Sequence, residues 1–104
     1  MDVLVNTDSS IQGTESLASD VEAAVRHALA RFSERLTRVE VHLSDENAGK
    51  GGDDDTRCLM EARVAGRNPT AVTHHAADVT RAVSGAVDKL KRALDTEFGK
   101  LQQH

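Results

Sequence analysis

The sequence predicts an α+β two-layer domain of order β-α-β-β-β-α, with both helices on one face of a four-stranded sheet. Two observations carry this expectation. Apolar residues recur at three- and four-residue spacing over 17–36 and again over 78–101, as on the inward stripe of a helix. Between and before these stretches lie short segments whose apolar residues either cluster or alternate with polar ones, as in strands.

The first strand is expected at Val3, Leu4 and Val5, closed by the polar run from Asn6 and by Gly13. Leu17, Val21, Val25, Ala28, Leu29, Phe32 and Leu36 then fall on one helical stripe, and Ser19 with Glu22 fits a capping box, so the regular helix is expected to begin there rather than at Thr14. Its outward side carries His27, Arg31 and Arg35 at four-residue steps, diluted by Asp20, Glu22 and Glu34. Val39, Val41 and Leu43 alternate with Glu40, His42 and Ser44 in a half-buried second strand. A loop over 47–56, rich in glycine and carrying Asp53, Asp54 and Asp55, joins it to a third strand, where Cys58, Met60, Ala62 and Val64 alternate with Arg57, Leu59, Glu61 and Arg63. Gly66-Arg67-Asn68-Pro69 has the composition of a tight turn, and 71–77 reads as a less cleanly patterned fourth strand.

The last helix is the dominant element. Val79, Val83, Ala86, Val87, Leu90, Leu94, Phe98 and Leu101 line its apolar stripe, and Asp78 is placed to cap its first turn. Its outward face carries Arg81, Lys89, Arg92, Thr96 and Lys100, interrupted at Gly85, a residue that costs a helix about 1 kcal/mol relative to alanine.

The 104 residues suit one domain, 1–104, and with Phe32 and Phe98 as its only aromatics the core must be built mainly from Val, Leu and Ala. A net charge of −4 argues against indiscriminate attraction to nucleic acid or anionic membrane but leaves room for a local basic patch. The single cysteine, the lack of a leader pattern after Met1 and the lack of a long apolar run together predict a cytoplasmic protein with no membrane association.

No nucleophile elbow, phosphate-binding loop or dinucleotide fingerprint is present, and Cys58 falls in the core phase of its strand, so no enzyme, cofactor or small-molecule substrate is expected. His42, His74, His75 and Cys58 are types that bind Zn²⁺, but His74 and His75 are neighbours on a strand and point to opposite faces, and His42 and Cys58 fall in opposite phases. Ordinary sheet-surface histidines are therefore expected. The three consecutive aspartates lack the alternating ligands and closing glutamate of a calcium loop and read as a solvated loop.

The two basic lines are what remains. Arg31 and Arg35, with Arg81, Lys89, Arg92 and Lys100, have the spacing to straddle phosphates if the helices lie side by side. The opposing reading makes them solvated helix surface, with Arg92 paired to Asp88 and Arg31 to Glu34. With no exposed aromatics expected, contact to the backbone of structured RNA fits better than reading of single strands.

Asp78-Val-Thr-Arg-Ala82 followed by Asp88-Lys-Leu-Lys-Arg-Ala-Leu94 resembles the closing helix of the ribosome hibernation promoting factors, a family that includes ribosome-associated inhibitor A and the sigma-54 modulation proteins. Leu29-Ala-Arg-Phe32 resembles that family's first helix and Val39-Glu-Val-His-Leu-Ser44 its second strand, and the layout is similar to that of double-stranded-RNA-binding domains. The resemblance implies binding to 16S rRNA in the tRNA and mRNA channel of the small ribosomal subunit, with translation blocked in stress or stationary phase. By matching position it points to Arg31, Lys89, Arg92 and Lys100 as rRNA contacts, and by facing to Arg35, Arg81 and Lys91. Asp95, Thr96, Phe98, Gln102 and Gln103 make the end of the last helix less basic than is usual in that family, and Thr80 stands where an aromatic is often found. The chain resembles a short form without a second, dimerising domain, and its own oligomeric state is left open. The rival expectations are an acidic paralogue that regulates a protein partner without binding ribosomes, and a metal-binding stress protein using His42, His74 or His75.

Overall fold

The computed structural model describes residues 1–8, 11, 14–45 and 56–102, with side chains described through Gly99. The order is β1 (Asp2–Thr7), α1 (Glu15–Ala28), a 3-10 turn (Ala30–Phe32), β2 (Leu36–Asp45), β3 (Thr56–Val64), β4 (Thr70–Ala76) and α2 (Val79–Gln102). The strands form one mixed sheet in the order β1-β2-β3-β4, with β1 parallel to β2 and the other pairs antiparallel. Alternation decides the faces. Val3, Val39, Val41, Leu43, Cys58, Met60 and Ala62 turn towards the helices and are buried, while Glu40, His42, Leu59, Glu61 and Arg63 lie on the other side. α1 packs over β1, and α2 packs over β3 and β4, its stripe from Ala82 to Phe98 closing the core.

The boundaries differ from the sequence reading by one residue at β3, which takes in Thr56, and at β4, which runs Thr70–Ala76 rather than 71–77, and by more at four other places. β1 runs on through Asn6 and Thr7, because the parallel ladder with His42 and Leu43 holds these polar residues extended. α1 starts earlier, at Glu15. The Thr14 hydroxyl accepts from Leu17 N at 3.0 Å and supplies the N-cap, so Ser19 and Glu22 lie inside the helix rather than forming a capping box. The same helix ends at Ala28, before its apolar stripe does. Leu29 and Phe32 stay buried because three-residue spacing in a 3-10 turn keeps them on one side, and Leu36 is already the first residue of β2. At Thr37 a bulge shifts the register, Leu36 pairing with Val64 and Arg38 with Arg63, so that even-numbered Leu36 and odd-numbered Val39 both face the core. Alternation alone therefore places the start of β2 three residues late.

The β3–β4 connection is a turn in which Gly66 has φ 75° and Arg67 N donates to Val64 O at 3.1 Å, a left-handed conformation that suits glycine. Asp78 caps α2 as expected, its Oδ1 accepting from Arg81 N at 2.8 Å. Gly85 has a packing reason. A Cβ there would overlap the imidazole of His74, which β4 projects towards the helix layer opposite Cys58. The missing side chain lets α2 lie down over β4. Asp53, Asp54 and Asp55 lie outside the described residues.

Candidate nucleic-acid interface

With Leu90 and Leu94 wholly buried, helical geometry sends Arg81, Lys89 and Arg92 outward, and all three are exposed. Their surroundings differ. Arg81 stands 3.7 Å from its own cap, Asp78, which offsets its charge. Lys89 donates from Nζ to the Thr73 carbonyl at 2.9 Å, which guards the outer edge of β4, and the ammonium forms no ion pair among the described residues. Arg92 forms no ion pair among the described residues, so its expected bond to Asp88 is not made. Lys91 lies half-buried and helps keep Asp95, one turn on, ionised. Lys100 continues the helix backbone, and its side chain lies outside the described residues.

Arg31 and Arg35 are not on one helical line with His27, because α1 has ended before them. Arg31 belongs to the 3-10 turn and Arg35 to the bend that follows. The bend carries both towards the C-terminal half of α2. Nη2 of Arg31 donates to Asp95 Oδ2 at 2.6 Å, in place of the expected pairing with Glu34. That bond holds the Asp95 carboxyl below the usual carboxylate range and raises the Arg31 pKa further. The Arg31 guanidinium also sits over the Phe32 ring at 4.3 Å, and that of Arg35 over the Phe98 ring at 4.7 Å. The two rings pack with centroids 5.6 Å apart, tilted by 39°. The structure thus gathers Arg31, Arg35 and Lys91 around the end of α2, with Lys89 and Arg92 on its outer side. Arg81 is remote from Arg92 by about 16 Å of helix.

Arg67 was not singled out by the sequence. The β3–β4 turn brings it to α2, where Nε donates to Glu97 Oε1 at 2.8 Å while Thr70 donates to Oε2 at 2.9 Å. Arg67 and Arg92 line one cleft with Ala93, Thr96 and Glu97. A turn composition predicts neither the direction of a side chain nor a partner so distant in sequence. Of the cations at this surface, Arg31, Arg67 and Arg81 are paired with carboxylates, whereas among the described residues Arg35, Lys89 and Arg92 have no ion pair.

Other chemistry has little to work with. Cys58 is fully buried, and burial pushes its thiol up to about 12, so the thiolate is suppressed at neutral pH. His74 faces the helix layer, and His42 and His75 lie exposed on the other sheet face. Among the described residues, no three His, Cys, Asp or Glu side chains stand together as a metal site. No described helix is long and apolar enough to cross a membrane.

A family model described as sigma 54 modulation protein / S30EA ribosomal protein matches residues 5–102. The chain belongs to this family. Its members are ribosome-associated, non-enzymatic factors. The fold agrees with that of two solved structures. The Thermus thermophilus Protein Y N-terminal domain superposes with a TM-score of 0.72 at 22% identity, covering 92% of this chain and 98% of that one. A ribosomal subunit interface protein from Coxiella burnetii superposes with a TM-score of 0.71 at 10% identity, covering 95% of this chain and 99% of that one. No curated protein sequence matches the chain.

Proposed function

We propose that this S30EA-family chain is a single ribosome-binding domain, 1–104, that acts in the cytoplasm as a hibernation factor. It occupies the tRNA and mRNA channel of the small subunit by contacting 16S rRNA, and it blocks translation in stress or stationary phase by exclusion rather than by catalysis. Arg31, Arg35, Arg81, Lys89, Lys91, Arg92 and Lys100 are the proposed rRNA contacts, and Arg67 joins them through the cleft it shares with Arg92.

The observation that carries this reading, beyond the family itself, is that Lys89, Arg92 and Arg35 present positive charge with no ion pair among the described residues, although the chain as a whole is at −4. Such groups can replace counterions on an RNA backbone, giving affinity that falls as salt rises. The rival, an acidic paralogue with a protein partner, is favoured by the pairing of Arg31 with Asp95 and Arg81 with Asp78, which offsets the charge of two of the proposed contacts.

Sucrose-gradient sedimentation of stationary-phase lysate separates the two. The protein is expected with 30S or 70S particles at low salt, released at high salt and absent from them in the Lys89→Glu/Arg92→Glu variant, whose fold is checked by circular dichroism. Each lost phosphate contact should flatten the salt slope of log affinity by about 1. Wild-type protein remaining at the top of the gradient at low salt overturns the ribosome reading and leaves the protein-partner rival.

A further inference from the structure

We propose that the cleft between the 3-10 turn and the end of α2 receives an unpaired RNA nucleobase, stacked on the guanidinium of Arg35. The inference rests on the rRNA reading and deepens it, replacing a phosphate contact at this position by a base contact. The cleft, of about 310 Å³, is lined by Arg31, Phe32, Arg35, Asp95, Phe98 and Gly99.

Three features of the cleft suit a flat, apolar-faced ligand next to an anionic backbone. The first is a prepared plane. The Arg35 guanidinium carbon lies over the Phe98 ring at 4.7 Å while the residue as a whole is exposed, which leaves guanidinium surface available to a ligand. Phe98 is only 7% exposed and cannot stack on a base directly, but it fixes the cation that can, and guanidinium planes serve as stacking surfaces for unpaired bases in RNA recognition. The second is charge. Arg31 is bound to Asp95, whereas Arg35 has no ion pair among the described residues and Lys91 acts on Asp95 from nearby, so the described groups leave an excess of positive charge for the flanking phosphates. The third is room. Gly99 sits inside a helix, where it costs about 1 kcal/mol relative to alanine, yet a Cβ there would meet nothing within 4 Å. Unlike Gly85, it borders open space rather than a neighbouring side chain, so this wall of the cleft is clear.

The test is binding of the full chain to purified small ribosomal subunits across a range of salt. Arg35→Lys keeps the charge and removes the plane. It is expected to lose roughly tenfold in affinity, close to the loss in Arg35→Ala, with the salt slope of the wild type. Gly99→Leu fills the cleft and should weaken binding by a similar factor with no loss of thermal stability. Wild-type affinity in Arg35→Lys, or in Gly99→Leu, overturns the stacking proposal and leaves Arg35 as a simple phosphate contact. Failure of the wild-type protein to bind subunits at any salt overturns the rRNA reading itself and the proposal with it.

Discussion

Gly85→Ala should destabilise the protein, although the same change in an ordinary exposed helix stabilises by about 1 kcal/mol. The reason is the His74 imidazole, whose ring atoms occupy the space that the new Cβ would need. The obstacle is a short aromatic side chain anchored on β4 beneath the helix, not the free end of a flexible one. Relief requires the ring to swing out or α2 to lift from the sheet. Overpacking of this kind costs about 1–3 kcal/mol. Set against the gain in helix propensity, the net loss is about 0–2 kcal/mol, with a melting temperature lower by up to roughly 10 °C for a domain of this size. The sign should reverse in a His74→Ala background, where the obstacle is gone and Gly85→Ala should stabilise by about 1 kcal/mol. Thermal and urea unfolding of the four proteins gives a coupling energy for the pair, expected at about 1–3 kcal/mol. Equal stabilisation by Gly85→Ala in both backgrounds would refute the packing explanation and reduce Gly85 to a neutral position on the helix.

Thr14→Ala should cost about 1 kcal/mol by removing the cap of α1, while Ser19→Ala, inside the helix, should stay within about 0.5 kcal/mol of wild type; a larger loss for Ser19→Ala in urea unfolding would return the helix start to Ser19. Cys58 should resist thiol reagents in the native protein at pH 8 and react once it is unfolded, since it is fully buried and its proton is held up to about 12. The same shift predicts a pH effect with a definite sign. The folded pKa lies above the ordinary value of 9.0, so this contribution to stability is complete below that pH and is lost progressively as pH rises towards about 12, where the unfolded chain has already released the proton. Alkaline unfolding curves should therefore be shallower for Cys58→Ala than for wild type.

The spacing of residues was enough to determine the order of elements, the inward stripe of α2, the faces of β2 and β3, the cap at Asp78 and the burial of Cys58. All of these depend on local period or on a residue within one turn, so neighbours in sequence carry the information. The extent of α1 was not legible, because Leu29, Phe32 and Leu36 keep a helical spacing while the backbone passes through a 3-10 turn into a strand, and only pairing with β3 makes Leu36 extended.

The candidate interface divides in the same way. That Arg81, Lys89 and Arg92 face outward follows from Leu90 and Leu94 facing inward. Which cations are neutralised does not, because Arg31 meets Asp95 across 64 residues and Arg67 meets Glu97 across 30. Nor does the meaning of the two helical glycines, identical in sequence terms, of which Gly85 makes way for His74 and Gly99 faces open space. Periodicity settles which way a side chain points. What it meets there depends on the distance and angle at which separate elements pack, and those exist only once the chain has closed around its core.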